Sequence, residues 1–228
     1  MSNELLMIMT SNGTLGDSGR PTGVWAEEVC VPLKAFRDAG LIVSAASPLG
    51  GRPPIDPRSA GFDTSTVSDL AAWLDGTRTL ADVDPGRYSA VFLAGGHGTM
   101  WDFPANEELA RVVGAVASHG VVSAVCHGPA GLIGVAGPGG RPLVAGRTVT
   151  AFSDAEEDAA GTRSASPFSL QEGLAALGAT VKVAAPFTVN VRRDGNRITG
   201  QNPMSSAAVA QAVTAAVRAR VQANAGTA

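Results

Sequence analysis

Short apolar runs alternate along this chain with stretches of helical spacing, and that alternation most narrows what the chain can fold into. Leu5–Met9, Leu41–Ala45, Ala90–Leu93, Val121–Val125, Thr148–Phe152 and Ala179–Val183 read as strands. Val24–Ala39, Pro104–Ser118, Pro129–Val135, Phe168–Leu177 and Ser205–Gln222 read as helices. The pattern predicts an α/β fold with a mostly parallel sheet and helices on both faces. Near the C-terminus, FTVNVRRDGNRITG reads as two strands around an Asp194-Gly195 turn, expected to decorate the sheet. Pro48–Gly61 is a Pro/Gly-rich loop. No repeat or interdomain linker interrupts the pattern, so residues 1–228 are expected to form one domain. The small, polar tail at about 223–228 is expected to fray.

Composition removes several function classes. The 228 residues are 45% hydrophobic and 16% charged, as in a globular protein with a substantial core. Net charge is -3 and no Lys/Arg block stands out, which argues against a nucleic-acid partner. No run of about 18 apolar residues implies a membrane partner. MSNELLMIMTSNGT reads as an opening strand, not a secretory leader. Cys30 and Cys126 cannot build a disulfide framework, which favours a reducing, cytoplasmic setting. There is no CxxC and no paired-histidine spacing, so no structural zinc is expected.

Three segments carry chemistry. In VVSAVCHGPAGL, an apolar run stops at Cys126-His127-Gly128-Pro129. Ligands of open α/β sheets bind at the carboxyl ends of strands, and Cys126 lies at such an end. Ala124 and Gly128 flank it in the small-x-nucleophile-x-small spacing of a sharp strand-to-helix turn. A thiol there is expected to be exposed and to feel a helix dipole that favours thiolate. A buried structural cysteine before a helix cap fits the hexapeptide equally well. In FLAGGHGTMWDFP, a strand ends in Gly95-Gly96-His97-Gly98, a loop able to present N–H groups to an oxyanion. In TGVWAEEVCVPLKAF, Trp25, Val29, Pro32, Leu33 and Phe36 share an apolar helix face. Glu28 falls on the edge of that face, while Glu27 lies opposite, near Lys34 and Asp38. A carboxyl turned into an apolar interface has its pKa raised and can hold or pass a proton, whereas a rim glutamate would reach for water. Cys30 reads as a packing residue, and His119 as a helix-end residue without chemistry.

Together GVWAEE, AGGHGTMWDFP, AVCHGPAGL, TAFSDAEE and TGQNPMSS resemble the PfpI-type superfamily, which has the fold of class I glutamine amidotransferases. The similarity is to its branch of heat-shock chaperones and cofactor-free glyoxalase III enzymes, and the motifs span nearly the whole chain. The resemblance implies a flavodoxin-like three-layer sandwich, a homodimer and no cofactor. It implies Cys126 as nucleophile, Glu28 as the carboxyl beside its sulfur and His127 as the adjacent imidazole. An acid that orients His127 completes the set, Glu157 by motif register with Asp154 as the fallback. Gly95, Gly96, His97 and Gly98 are the expected oxyanion and substrate contacts. Some larger relatives carry a 2-His-1-carboxylate metal site; with only His97, His119 and His127 available, none is expected here. The implied activity is glutathione-independent conversion of a small reactive aldehyde, methylglyoxal, to lactate. The alternatives are a cysteine amidase or peptidase on the same residues, and a stress holdase that acts through exposed apolar surface and does not need Cys126.

Overall fold

Strand β1 (Glu4–Ile8) sets the two sides of the molecule. The structure is a computed structural model and describes residues 2–225. After β1 come α1 (Ala26–Asp38), β2 (Ile42–Ser47), α2 (Leu70–Asp75), β3 (Arg78–Thr79) and β4 (Ala90–Leu93). Then follow α3 (Thr99–Asp102), α4 (Glu107–His119), β5 (Val121–Val125), β6 (Thr148–Val149) and α5 (Asp154–Ala160). The chain continues through α6 (Leu170–Ala176), β7 (Thr180–Val181), β8 (Val191–Asp194), β9 (Arg197–Gly200) and α7 (Ser206–Ala225).

Among the described residues, seven strands form the main sheet in the order β3-β2-β1-β4-β5-β9-β8, and all pairs but β8–β9 are parallel. Successive side chains of a strand point to opposite faces. Leu5 and Met7 therefore join a core with Val29, Leu33 and Phe36 of α1 and Val209 and Val213 of α7. Leu6 and Ile8 join a second core with Leu109, Val112 and Val116 of α4. A one-residue slip of β1 would exchange these sets, so burial on both faces fixes the register. The result is the expected flavodoxin-like sandwich of helices, sheet and helices. No helix among the described residues is long and apolar enough to cross a membrane.

Three expectations are corrected. The C-terminal hairpin belongs to the main sheet: β9 pairs parallel with β5, from Val122 opposite Arg197 to Val125 opposite Gly200. The strand expected over Thr148–Phe152 stops at Val149 and pairs with β7 in a separate two-stranded sheet. Beyond it, the Phe152 N–H donates to the Cys126 carbonyl at 2.9 Å and turns the chain toward the capping box of Ser153 and Glu156 that opens α5. Instead of a helix over Pro129–Val135 there is a 3-10 turn at Gly128–Leu132. Glycine interrupts helix there: Gly128 and Gly131 lie hard against Leu93, and Gly134 has φ +92°. Helix α7 carries the chain through Ala225; the rest of the tail expected to fray lies outside the described residues.

Candidate active site

The strand order reverses at β1, with β2 on one side and β4 on the other. Ligand clefts form at the carboxyl ends of strands beside such a reversal. β4 and β5 run parallel there, so the loops that follow them lie side by side. The first loop carries Gly95 to Gly98 and the second carries Cys126 and His127.

Cys126 has φ +58°, a left-handed conformation that costs a side-chain-bearing residue about 1–2 kcal/mol. The neighbours hold it there. Its N–H donates to the Gly200 carbonyl of β9 at 2.9 Å, and its own carbonyl receives the Phe152 N–H. Gly128 sits where a Cβ would come within 2.2 Å of the Leu93 carbonyl. The tight turn sets the thiol beside Glu28 of α1 and the His127 ring.

The thiol is buried, at 4% exposure, not exposed as the sequence suggests. The five-residue turn after it also supplies little of the dipole of a true α-helix. Burial first, and then the neighbouring Glu28 charge, push the Cys126 thiol up, while the Gly96 amide draws it down. Glu28 is fully buried, and burial raises its carboxyl well above the usual range, against the pull of the Cys126 thiol and the Gly95 amide. Neither Glu28 oxygen reaches a partner in full hydrogen-bond geometry. A Cβ on Gly95 would stand 2.4 Å from Glu28 Oε2 and 2.9 Å from Cys126 Cβ, so this glycine is where carboxyl and thiol meet. The carboxyl and the thiol are coupled, and burial of the carboxyl favours its neutral form.

On the other side of the thiol, Cys126 Sγ and His127 Nδ1 are 3.2 Å apart. The His127 Nε2–H donates to Glu157 Oε1 at 2.7 Å. Glu157 also receives the His97 Nε2–H at 3.2 Å and the Thr162 hydroxyl. Burial would raise the Glu157 carboxyl, but the hydrogen bonds from His127 and His97 outweigh it and hold the group well below the usual carboxylate range. The two imidazoles lie 3.9 Å apart between ring centroids, and Phe152 covers the His127 ring at 4.5 Å.

The geometry thus gathers Glu28, Cys126, His127 and Glu157, with Gly95 and Gly96 against the thiol and carboxyl. Asp154 lies outside, bonded to Ser169 and Arg163. The His97 ring faces Glu157 and Arg58, not the thiol. Gly98 packs against the Asn12 carbonyl. His119 contacts the Tyr88 carbonyl at the amino ends of β4 and β5, the opposite ends of these strands from the loops of the site. Cys30 lines a separate cavity of about 370 Å³ with Val29, Ile55 and Leu74, and burial raises its thiol to about 11. The donor atoms of His97, His127 and Glu157 lie within 4.8 Å of one another, a cluster able to hold a divalent cation. Counting histidines in the sequence did not reveal it. The sequence reading also missed Arg58 and Asp56, which arrive on the Pro48–Gly61 loop with no local motif to mark them.

A parallel α/β sandwich with a strained cysteine at a strand end and a buried carboxyl at its sulfur defines a class of cysteine-centred small-molecule sites. The chain belongs to the DJ-1/PfpI family, whose sequence model matches residues 22–216. It is 30% identical over 240 residues to Glyoxalase 3 of Candida albicans, covering 95% of this chain and 98% of that protein. It is 31% identical to the glutathione-independent glyoxalase HSP31 of Saccharomyces cerevisiae, covering 89% and 92%. The crystal structure of glyoxalase III from Candida albicans superposes with TM-score 0.85 at 29% identity, covering 93% of this chain and 96% of that one. The Rapid Encystment Protein 24 kDa of Francisella tularensis superposes with TM-score 0.90 at 35% identity, covering 95% and 99%.

Proposed function

We propose that this chain is a glutathione-independent glyoxalase that converts methylglyoxal and water to lactate. The observation that carries the reading is the Cys126 thiol held between the buried Glu28 carboxyl and the His127–Glu157 pair. The similarity to glyoxalases over nearly the full chain supports the same activity.

The thiol proton passes to His127 Nδ1, and Sγ attacks the aldehyde carbon. The Gly96 N–H and the Glu28 proton stabilise the developing alkoxide, which becomes the hydroxyl of a hemithioacetal. The Glu28 carboxylate left behind then takes the proton of the former aldehyde carbon while the His127 imidazolium gives its proton to the neighbouring ketone oxygen, leaving an enediol and a neutral His127. Glu28 returns that proton to the neighbouring carbon and takes up the proton of the hydroxyl on the sulfur-bearing carbon, which becomes the carbonyl of a lactoyl thioester on Cys126. Water, deprotonated by His127, hydrolyses the thioester and releases lactate and the thiol. No metal or organic cofactor enters. The reading takes residues 1–228 as one domain and the chain as a cytoplasmic homodimer. The two free cysteines favour a reducing setting.

An amidase would need only Cys126, His127 and Glu157; a proton-bearing carboxyl in an apolar wall at the sulfur serves aldehyde isomerisation instead. Glu28→Gln separates the steps. The variant exposed to methylglyoxal is expected to form the Cys126 adduct in intact-mass spectra and no lactate. Lactate at the wild-type rate would remove Glu28 from the proton chemistry.

A further inference from the structure

We propose that Arg58 is a positioning residue for this site: through His97 and Glu157 it fixes which nitrogen of His127 faces the thiol. The inference rests on the glyoxalase reading for its kinetic consequence and on geometry for the rest.

Arginine carries donors and no acceptor. Arg58 Nη2 lies 3.1 Å from His97 Nδ1, so that nitrogen must accept. The remaining proton of a neutral His97 is then on Nε2, which faces Glu157 Oε2 at 3.2 Å. Glu157 must therefore receive at Oε2, and its Oε1 stays free to receive His127 Nε2–H at 2.7 Å. His127 Nδ1 is left bare at 3.2 Å from the sulfur, the arrangement a base needs. The order of protons is thus dictated from the far end of the chain of contacts.

Arg58 is itself held firmly. Its Nε and Nη2 both donate to the buried Asp56, at 3.0 and 2.6 Å, in the bidentate geometry peculiar to arginine. Asp56 also receives the Arg58 backbone N–H and the Thr22 hydroxyl. The guanidinium lies 5.9 Å from the Trp25 ring centroid, at the entrance to α1.

The ionisable groups that face His97 are Arg58 with Asp56 behind it on the loop before α2, Glu157 on α5, and His127 after β5. Burial, then His127, keep His97 down to about 4, and the Arg58 charge adds to this. Without Arg58, the bare Nδ1 can take a proton. A charged His97 would then draw the Glu157 charge away from His127 and weaken the pair. Arg58 also keeps the His97 Nε2 lone pair blocked by a proton, which opposes metal binding by the two imidazoles and Glu157.

Two measurements test this. The first is the nitrogen-15 NMR titration of the imidazoles, which needs no turnover. In the wild type, His97 is expected as the neutral Nε2–H form across the neutral range. In Arg58→Met, its titration is expected to move up by about one unit, as when one nearby charge is removed. The second is the pH profile of kcat/KM with methylglyoxal. The acid limb of Arg58→Met is expected to move up with His97, and Arg58→Met/His97→Gln to move it back, because glutamine donates to Glu157 and cannot take a proton. An unchanged His97 tautomer and titration in Arg58→Met would overturn the proposal, as would a uniform loss of rate with no shift of the limb. Absent turnover with the NMR shift present would refute the substrate assignment and leave the positioning role standing.

Discussion

Replacing Glu157 with Gln keeps the shape of the side chain and removes its charge. Three donors converge on this carboxylate: His127 Nε2–H at 2.7 Å, His97 Nε2–H at 3.2 Å and the Thr162 hydroxyl. Glutamine offers one carbonyl oxygen and an NH2 group, so at least one imidazole must meet a donor with a donor. His97 is pinned by Arg58, so the strain falls on His127, whose relief is to move its proton to Nδ1. That nitrogen can then no longer take the thiol proton. Hydrogen bonds to charged groups contribute about 1.5–3 kcal/mol each. Losing the charge in two of them, with one neutral bond kept, gives a destabilisation of about 2–4 kcal/mol. For a chain of this size that lowers the melting temperature by about 5–15 °C. Turnover should fall on the order of 10³–10⁴-fold, as for an imidazole held in the wrong tautomer.

The pH dependence has a defined sign. The folded carboxyl sits well below its ordinary value of 4.5, so it binds its proton less readily than in the unfolded chain. Its stabilisation is therefore full above pH 4.5 and is lost as pH falls toward the folded value. Melts of wild type and variant should differ by a constant amount from pH 7 to about pH 5 and converge below it. A variant with wild-type turnover, or a gap that widens on acidification, would refute this account of Glu157.

Gly95→Ala places a Cβ within 2.4 Å of Glu28 Oε2 and 2.6 Å of the Val125 carbonyl. It should cost about 1–3 kcal/mol in chemical denaturation and reduce turnover on the order of 100-fold by shifting the carboxyl from the sulfur. Cys126→Gly should melt at or above Cys126→Ala, because glycine alone relieves the φ of +58°, and neither should turn over. A clearly higher melting temperature for the alanine variant would show that the turn is unstrained.

Much of this was legible in the sequence because it rests on local rules. Strand–helix alternation gave the sandwich, and the small residues around Cys126 gave the sharp turn. Helical phase alone put Glu28 on the apolar edge of α1, where the structure buries it completely. The rest depends on contacts far apart in the chain. Nothing local in FTVNVRRDGNRITG says that its second strand will pair with β5 and anchor the Cys126 amide. The thiol's burial arises from α1 and the Gly95 loop closing over it, so the expected exposure failed. His97 is expected among the oxyanion and substrate contacts because it sits in a glycine-rich loop; its ring turns away to Glu157, 60 residues later. Arg58 carries no motif, and its place becomes visible only when the loop folds against His97.

The most direct test of the central claim is lactate formation from methylglyoxal by the purified, reduced protein, with chelator and without glutathione, beside Cys126→Ala. The account predicts sustained lactate formation by the wild type and none by the variant. No lactate from folded wild type, or equal lactate from both, would contradict it.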